Sequence, residues 1–233
     1  MATRLPPLLD RVILFAHRGA RANAREHSLE AFELALRLGA TGVQVDAWTT
    51  SDGVVVLDRS GLVRRFPKRR IADVTHAAIA DSFATLDELF DTVSDVPIRV
   101  AAADDAVASI LTIARARGAA DRLWLVHSDL DVLAGWRDIA PEVHLINQTS
   151  IQELPLGPER RAAELAAARI DAVAMPEGDW SGGMVTLFHR FEVAAFADGA
   201  HFERQIARLI DMGIDAVSGD HVGRMAAVAA TFE

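Results

Sequence analysis

Cysteine and long apolar runs are both missing from the sequence, and each absence excludes a class of protein. None of the 233 residues is a cysteine, which excludes disulfide bonds and cysteine-ligated metal centres. The longest apolar run near the start, Val12–Ala16, is too short for a signal peptide or a membrane-spanning helix. The sequence therefore predicts a cytoplasmic protein without a membrane span.

An excess of basic residues is missing as well. The formal net charge is −9 at pH 7, whereas a general nucleic-acid binder presents a basic surface to the phosphate backbone. We therefore expect no nucleic-acid partner, while a local basic pocket for one phosphate group is compatible with this charge. The chain also shows no linker or low-complexity tract, so residues 1–233 are predicted to form a single domain.

Short apolar runs and longer amphipathic stretches alternate along the chain. The apolar runs predict strands over Val12–Ala16, Gly42–Ala47, Val54–Leu57, Ile98–Ala102, Leu123–Val126, Val143–Ile146, Asp171–Met175, Val193–Phe196 and Asp215–Val217. The amphipathic stretches predict helices over Ser28–Leu38, Leu86–Val93, Val107–Arg117, Asp131–Ile139, Glu159–Ala168, Met184–Arg190, Phe202–Met212 and Val222–Ala230. Thr85 followed by Glu88 is a capping-box pattern at the start of the second helix.

This alternation predicts parallel strands joined by right-handed crossovers. About eight such units without a long interruption favour a closed (β/α)₈ TIM barrel, and a doubly wound open sheet is the alternative fold. The predicted strands are one more than a barrel uses, so one short run is either an additional strand or misassigned.

Polar motifs follow the first three predicted strands. His-Arg-Gly ends the first strand at residues 17–19, and Glu-His-Ser opens the first helix at residues 26–28. The second strand carries Gln-Val-Asp at residues 44–46, and after a Thr-Ser-Asp-Gly turn the third strand ends in Leu-Asp at residues 57–58. Because barrel enzymes keep their chemistry at the carboxyl ends of the strands, these motifs are predicted to meet at one edge.

This ordered series closely resembles the glycerophosphodiester phosphodiesterase family of the PLC-like phosphodiesterase superfamily. Thr-Leu-Asp-Glu-Leu at residues 85–89 and Met-Gly-Ile-Asp-Ala-Val at residues 212–217, followed by Asp220, extend the resemblance over nearly the whole chain. The resemblance implies a barrel of the PLC-like phosphodiesterase type and hydrolysis of glycerophosphodiesters to glycerol 3-phosphate and an alcohol. It also implies a place in glycerol and lipid metabolism and a small anionic phosphodiester or phosphate as the ligand.

Four residues match functional positions of the family. His17 matches the first catalytic histidine, and Arg18 matches the arginine that contacts phosphate, a role suited to its fixed donor fork. Glu26 and Asp46 match two carboxylates that hold Mg²⁺ or Ca²⁺ in the family, which is the oxygen-rich kind of site that hard cations prefer.

Four other positions depart from the family pattern. Gln44 and Arg99 stand where the family has metal-binding carboxylates, Leu57 replaces the second catalytic histidine, and Ala101 replaces a phosphate-binding lysine. Leucine cannot exchange a proton, and a guanidinium repels a divalent cation. We therefore expect weak or absent metal binding, no other cofactor, and a rate lowered by about 10²–10⁴-fold through the loss of one acid–base group.

Arg99 suggests a specific arrangement of the degenerate site. Its guanidinium is predicted to occupy the vacated metal position, to pair with Asp46 and Glu26, and to bind phosphate beside Arg18. Metal-independent bacterial phosphatidylinositol phospholipases C, which are related barrels, resemble such a site. The alternative is that Arg99 only stabilises the mouth of the barrel.

Further side chains are candidates for the pocket. His27 and His127 follow predicted elements at the catalytic edge, Asp58 keeps the end of the third strand polar, and Phe196 ends a later strand. Each has the alternative of a rim or packing residue. The basic stretch Arg59–Asp73 is either a solvated loop or an electropositive lip over an anionic ligand.

Three functions follow from these observations. The first is a phosphoric diester hydrolase of the family with impaired metal-dependent activity. The second is a regulatory pseudoenzyme that binds a phospho-ligand without cleaving it, and the third is an interaction protein with a vestigial pocket. The sequence leaves the oligomeric state open.

Overall fold

Parallel strands close into a barrel in the computed structural model, which describes residues 6–63 and 68–232. The strands are β1 (Ile13–His17), β2 (Gly42–Thr49), β3 (Val55–Leu57), β4 (Leu62–Val63), β5 (Arg69–Arg70), β6 (Ile98–Ala102), β7 (Leu123–His127), β8 (His144–Gln148), β9 (Ala172–Pro176), β10 (Ala194–Asp198) and β11 (Ala216–Gly219). Strand β1 pairs in parallel with both β2 and β11, so the sheet closes on itself. This closure confirms the predicted (β/α)₈ barrel over the open sheet.

Helices connect the barrel strands on the outside. They are α1 (Leu29–Arg37), α2 (Leu86–Thr92), α3 (Val107–Ala116), α4 (Leu130–Ile139), α5 (Pro158–Ala167), α6 (Gly182–His189), α7 (Glu203–Asp211) and α8 (Val222–Ala229). Single 3₁₀ turns lie at Ile71–Asp73, His76–Ala78, Asp104–Ala106, Ala120–Arg122, Ile151–Glu153 and Glu177–Asp179. The predicted capping box is present, because Thr85 Oγ1 accepts from the Glu88 N–H while the Glu88 carboxylate accepts from the Thr85 N–H.

The third predicted strand is real but does not belong to the barrel. Strand β3 runs antiparallel to β2, with Ala47 opposite Leu57. The turn between them is held by the Thr50 hydroxyl, which donates to the Val54 carbonyl and accepts from the Val54 N–H. So short a turn can join only antiparallel neighbours, since a parallel pair needs a crossover of a dozen or more residues. This hairpin strand is the one in excess of the barrel.

A segment after β3 forms a small layer of its own on β2. Strands β4 and β5 pair as a two-stranded ribbon, over a cluster that contains Val56, Ile71 and Ile79. Part of the predicted basic lip falls on Arg64 and Arg65, which lie outside the described residues. Residues 68–70 of that stretch are exposed to solvent, which is compatible with both a solvated loop and a lip.

The barrel interior is polar at the carboxyl ends of the strands, which form the mouth of the barrel. It is apolar below the mouth, toward the amino ends. Large rings of Phe15, Trp124 and Phe196 pack across the lower interior against alanines of β9, β10 and β11. Above them the interior positions carry polar groups, among them Gln44 and Arg99, which are register partners in β2 and β6. This change of polarity places the functional side chains at the carboxyl edge of the strands.

No helix in the described part of the chain is both long enough and apolar enough to cross a membrane.

Candidate active site

A histidine–aspartate pair joins the ends of two neighbouring strands. His17 ends β1, and its Nδ1 lies 3.0 Å from Oδ1 of Asp220, which directly follows β11. A carboxylate only accepts hydrogen bonds, so Nδ1 carries the hydrogen and Nε2 keeps its lone pair. Burial lowers the pKa of His17 below its ordinary value of 6.5, against the opposing effect of Asp220. His17 is therefore a neutral imidazole near pH 7, with an acceptor nitrogen left for chemistry.

Arg18 links the two carboxylates that the sequence assigned to a metal. Its Nε donates to Asp46 Oδ2 at 2.6 Å, and its Nη1 lies 3.4 Å from Glu26 Oε2. Arg21 lies on the other side of the same group, with Nε 3.6 Å from Asp220 and 4.0 Å from Glu26. The carboxylates are thus neutralised by guanidinium groups of the protein itself.

The loop that carries Arg18 has an unusual backbone. Arg18 and His27 have φ angles of 61° and 60°, in the left-handed region that non-glycine residues rarely occupy. Hydrogen bonds hold both residues there, from the Arg18 N–H to the Gln44 carbonyl at 2.8 Å and from the His27 N–H to the Arg18 carbonyl at 3.1 Å. Such conformations cost roughly 1–3 kcal/mol each and cluster at functional sites.

Asp46 also receives a hydrogen bond from a buried histidine. His27 Nε2 lies 3.1 Å from Asp46 Oδ2, and the His27 side chain is 5% exposed. Burial raises the pKa of Asp46, but the hydrogen bond from His27 and the charge of Arg18 outweigh it and hold the pKa below 3.8. His27 therefore contacts one of the carboxylates of the candidate site directly.

Arg99 does not pair with Asp46 and Glu26, and that prediction was wrong. Its Nη1 and Nη2 donate to the two carboxylate oxygens of Asp198, at the end of β10, at 2.5 and 2.8 Å. The Arg99 side chain is 1% exposed, so this bidentate pair lies in the barrel interior. Asp198 lies on the opposite wall of the barrel from Arg99. The Arg99 guanidinium therefore crosses the barrel interior to reach it.

A side cavity of about 590 Å³ opens beside the mouth. Its walls come from the start of α1, the end of β3 and the segment before α2, and its lining residues are Arg25, Glu26, His27, Ser28, Leu29, Glu30, Leu57, Asp58, Val63, Ala80, Asp81, Ser82, Phe83, Ala84 and Glu88. Glu26 and His27 belong to both the mouth and this cavity. Leu57 and Asp58 both line this cavity, beside the candidate site.

Two other pocket candidates lie elsewhere. The ring of His127 packs against Trp136 of α4, with centroids 5.3 Å apart, because residue 127 is on the helix-facing side of β7. Phe196 is fully buried in the lower barrel, 5.9 Å from Phe15 between ring centroids. His127 therefore faces a helix, whereas Phe196 faces the barrel interior below the mouth, and both take the packing role that the sequence left open.

A sequence model of the glycerophosphoryl diester phosphodiesterase family matches residues 17–81. That stretch contains the strand ends and the loop that build the site around His17. Over this stretch the chain is similar to glycerophosphodiester phosphodiesterases.

Curated glycerophosphodiester phosphodiesterases match a part of the chain of similar length. Rat glycerophosphodiester phosphodiesterase 1 is 44% identical over 68 residues, which are 28% of this chain and 20% of the rat protein. The human protein of the same name is 40% identical over 72 residues, 30% of this chain and 22% of the human protein. The chain thus matches about a fifth of the length of these relatives.

Solved structures of the family share the whole barrel. A glycerophosphodiester phosphodiesterase from Thermotoga maritima superposes with a TM-score of 0.78 at 23% identity, over 92% of this chain and 97% of that one. A phosphodiesterase from Oleispira antarctica, solved in complex with the product sn-glycerol-3-phosphate, gives a TM-score of 0.81 at 17% identity, over 94% and 96% of the two chains. At these identities the likeness establishes the fold.

Two positions that the resemblance assigns to the ligands, Gln44 to the divalent cation and Ala101 to the phosphate, are engaged differently in this chain. The Gln44 side-chain oxygen accepts from the Ser218 hydroxyl, and Ala101, opposite Asp46 in the sheet, offers no polar atom. Among residues 6–63 and 68–232, histidine, aspartate and glutamate side chains form no group of three or more that could hold a metal ion. The donor set described therefore does not fit a hard cation, which needs several oxygen ligands.

Three site residues were missed by the sequence reasoning, namely Arg21, Asp198 and Ser218, and Asp220 was noticed only as part of a motif. Asp198 and Asp220 each follow a predicted strand by no more than three residues. A polar residue directly after an apolar strand was the signal that would have found both. Arg21 lies in a loop whose path only the folded chain defines.

Proposed function

We propose that this barrel hydrolyses glycerophosphodiesters to glycerol 3-phosphate and an alcohol, slowly and without a divalent cation. The observation that carries the proposal is the His17–Asp220 pair, flanked by Arg18 and Arg21 at the carboxyl edge of the barrel. The match of residues 17–81 to the family model and the similar fold of a phosphodiesterase solved with sn-glycerol-3-phosphate support the choice of substrate.

His17 is the proton acceptor in this proposal. Asp220 fixes its ring and tautomer, and Nε2 takes the proton of a water molecule as that water attacks phosphorus. The P–O bond to the alcohol breaks, and the leaving alkoxide takes a proton from solvent water. A positioned base of this kind contributes about 10²–10⁴-fold to a rate. The lowered pKa of His17 keeps the base unprotonated at neutral pH.

Arg21 is the better placed of the two arginines to receive a phosphate. Arg18 uses Nε and Nη1 for Asp46 and Glu26. Within the described part of the chain, Arg21 makes only the two longer ion-pair contacts through Nε, and its side chain is 29% exposed. Its terminal N–H groups are thus available for the charge-assisted bonds that a phosphodiester accepts.

Divalent cations should not be required. Arg18 holds Glu26 and Asp46, and Arg99 holds Asp198, so a cation would have to displace tethered guanidinium groups. We expect the same rate of glycerol 3-phosphate release from glycerophosphocholine and glycerophosphoethanolamine in Mg²⁺, in Ca²⁺ and in a chelator.

The test combines that assay with one histidine variant. His17→Asn should lower the rate by about 10²–10⁴-fold, whereas His76→Asn, a loop histidine of the segment before α2, should leave it unchanged. Rapid hydrolysis that depends on Mg²⁺ or Ca²⁺ would contradict the proposed metal independence. An equal rate for His17→Asn and the parent protein would contradict the role of His17.

A second candidate is a non-catalytic protein that binds a phospho-ligand. Leu57 favours it, because this residue lines the side cavity where the resemblance places the second catalytic histidine, and leucine transfers no proton. Saturable binding of glycerol 3-phosphate with no turnover of either phosphodiester would establish this alternative. Absence of both binding and turnover would leave the interaction protein with a vestigial pocket.

A further inference from the structure

Gln44 lies between two strands that carry site residues. It pairs in the sheet with His17 of β1 on one side and with Arg99 of β6 on the other. Its backbone carbonyl accepts from the Arg18 N–H at 2.8 Å. Gln44 is therefore a neighbour of both the proposed base and the loop that carries the arginines, and an inference about its role rests on the proposed hydrolysis.

The side-chain amide of Gln44 is oriented by Ser218. The Ser218 hydroxyl donates to the Gln44 side-chain oxygen, which leaves the two N–H groups of Nε2 at the other end of the amide. Ser218 pairs with Phe15, two residues below His17 in β1. The hydrogen bond thus holds the amide just above the apolar layer of the interior, at the floor of the mouth.

The nitrogen of this amide is accessible and unbonded. Gln44 Nε2 makes no hydrogen bond with any residue in the ranges 6–63 and 68–232. Four side-chain atoms in those ranges are buried without a partner, and they belong to His27, Thr49, Arg99 and Asn147. Gln44 Nε2 is not one of them, so it is accessible. Because buried aromatic rings close the interior below, a ligand reaches this nitrogen from the mouth.

An amide at position 44 suits a phosphate better than a carboxylate does. The glutamate that the resemblance places there only accepts hydrogen bonds when it is ionised. A phosphodiester is also an anion that only accepts, so the two groups repel each other unless a cation lies between them. The Gln44 amide removes that charge and supplies two donors. The change that removes a cation ligand therefore also permits direct contact with a phosphate oxygen.

We propose that Gln44 is a catalytic residue whose Nε2 donates a hydrogen bond to a phosphate oxygen, and that this bond strengthens as negative charge develops during attack by water. A donor that is fixed in advance at such a position needs no reorganisation during the reaction. Ser218 is then a positioning residue, because it orients the amide without touching the substrate. Gln44 exchanges no proton, so His17 remains the base.

Gln44→Met tests the donor, because methionine fills a similar volume and offers no N–H. The rate of glycerol 3-phosphate release should fall by about 10²–10³-fold, a typical cost of removing one such donor. Calorimetric binding of glycerol 3-phosphate should weaken by about tenfold. Gln44→Glu should lower both at least as much, in Mg²⁺ as well as in a chelator. Gln152→Glu, on the exposed loop after β8, adds the same charge and should change neither.

Ser218→Ala tests the positioning role. It should lower kcat less than Gln44→Met does, and the double variant should be no slower than Gln44→Met alone, because Ser218 acts only through the amide. Losses that multiply in the double variant would contradict this role of Ser218. Urea unfolding of each variant checks that it is folded under the assay conditions.

The outcomes separate this inference from the proposed hydrolysis. Weaker binding of glycerol 3-phosphate in Gln44→Met supports the contact with phosphate even if the parent protein hydrolyses no substrate, and then only the proposed hydrolysis fails. Parent-like binding and rate in Gln44→Met, or a Gln44→Glu variant that is faster than the parent in Mg²⁺, overturns the inference while the role of His17 stands. A parent protein that neither binds glycerol 3-phosphate nor hydrolyses a phosphodiester overturns both.

Discussion

At the scale of single residues, the site is defined by which side chains its carboxylates already hold. Asp46 is held by Arg18 and His27, Asp198 by Arg99, and Asp220 by His17. The charges of Asp46 and Asp198 are thus offset by Arg18 and Arg99, and Asp220, held by the neutral imidazole of His17, lies 3.6 Å from Arg21. This is the opposite of a preformed cation site, where unpaired carboxylates keep their charge for the metal.

Asp220 should control the protonation of His17. Its hydrogen bond and charge raise the pKa of His17 against the lowering effect of burial, Arg18 and Arg21. In Asp220→Asn the pKa of His17 should fall further below 6.5, so the acid limb of the pH–rate profile should move to lower pH. The rate at its plateau should fall as well, by up to about 10⁴-fold, because the ring loses the acceptor that fixes its tautomer.

Nuclear magnetic resonance titration of the His17 ring checks this shift without relying on activity. A higher pKa of His17 in Asp220→Asn than in the parent protein would contradict the assignment of Asp220 as the group that raises it.

At the scale of elements, the loop between β1 and α1 is fixed by backbone conformation and by close packing. Gly19 has φ +81°, and a Cβ atom placed there would lie 2.8 Å from the Ala31 Cβ in α1. Only glycine satisfies both conditions, so the third residue of the His-Arg-Gly motif sets the approach of the loop to the helix. That approach in turn directs Arg18 and His27 toward Asp46.

A pair of glycine variants separates the two contributions. Gly118 also has positive φ, but a Cβ there would meet nothing within 4 Å. Gly118→Ala should lower the free energy of unfolding by about 1–2 kcal/mol, the cost of a left-handed conformation for alanine. Gly19→Ala should cost more, because steric overlap with Ala31 is added. Urea unfolding of both variants measures the difference, and an equal loss would show that the contact with Ala31 is relieved without cost.

At the scale of the whole molecule, the Arg99–Asp198 pair joins two strands that are not neighbours. Strands β7, β8 and β9 lie between β6 and β10 in the sheet. The pair therefore connects opposite parts of the barrel wall through the interior, beneath the mouth. Its side chains are unequally buried, with Arg99 1% and Asp198 21% exposed.

That asymmetry predicts unequal effects of removing each partner. Asp198→Asn leaves the more deeply buried guanidinium without its counter-charge and should cost about 3–5 kcal/mol of unfolding free energy. Arg99→Met leaves a carboxylate that water still reaches and should cost less. The double variant should be more stable than the sum of the two losses implies, and additive losses in this cycle would contradict a direct pairing.

Restoring the glutamate that the resemblance places at position 99, without a second change, should therefore destabilise the barrel. Arg99→Glu would place a second carboxylate against Asp198 in the barrel interior, where like charges are strongly unfavourable. A change at Arg99 therefore needs a compensating change at Asp198, its bidentate partner.

The periodicity of the sequence by itself determined the order of strands and helices, because alternation of apolar runs and amphipathic stretches follows from local geometry. It also determined that His17, Arg18, Glu26 and Asp46 gather at one edge, since parallel strands end on the same side. The strand in excess of the barrel, Val55–Leu57, was also predicted as a strand. Its partner strand and its direction were not predicted, because the turn at Thr50 sets both.

Tertiary structure alone decided the partners of the charged side chains. Arg99 and Asp198 are far apart in the sequence and meet only because the barrel closes, and no local pattern distinguishes Asp198 from Asp46 or Glu26 as the acceptor. The same closure brings Asp220 to His17 and places Phe196 in the interior below the mouth, whereas His127 packs against α4. The sequence shows whether a side chain is polar or apolar. Its partner across the barrel depends on the register and curvature of the whole folded sheet.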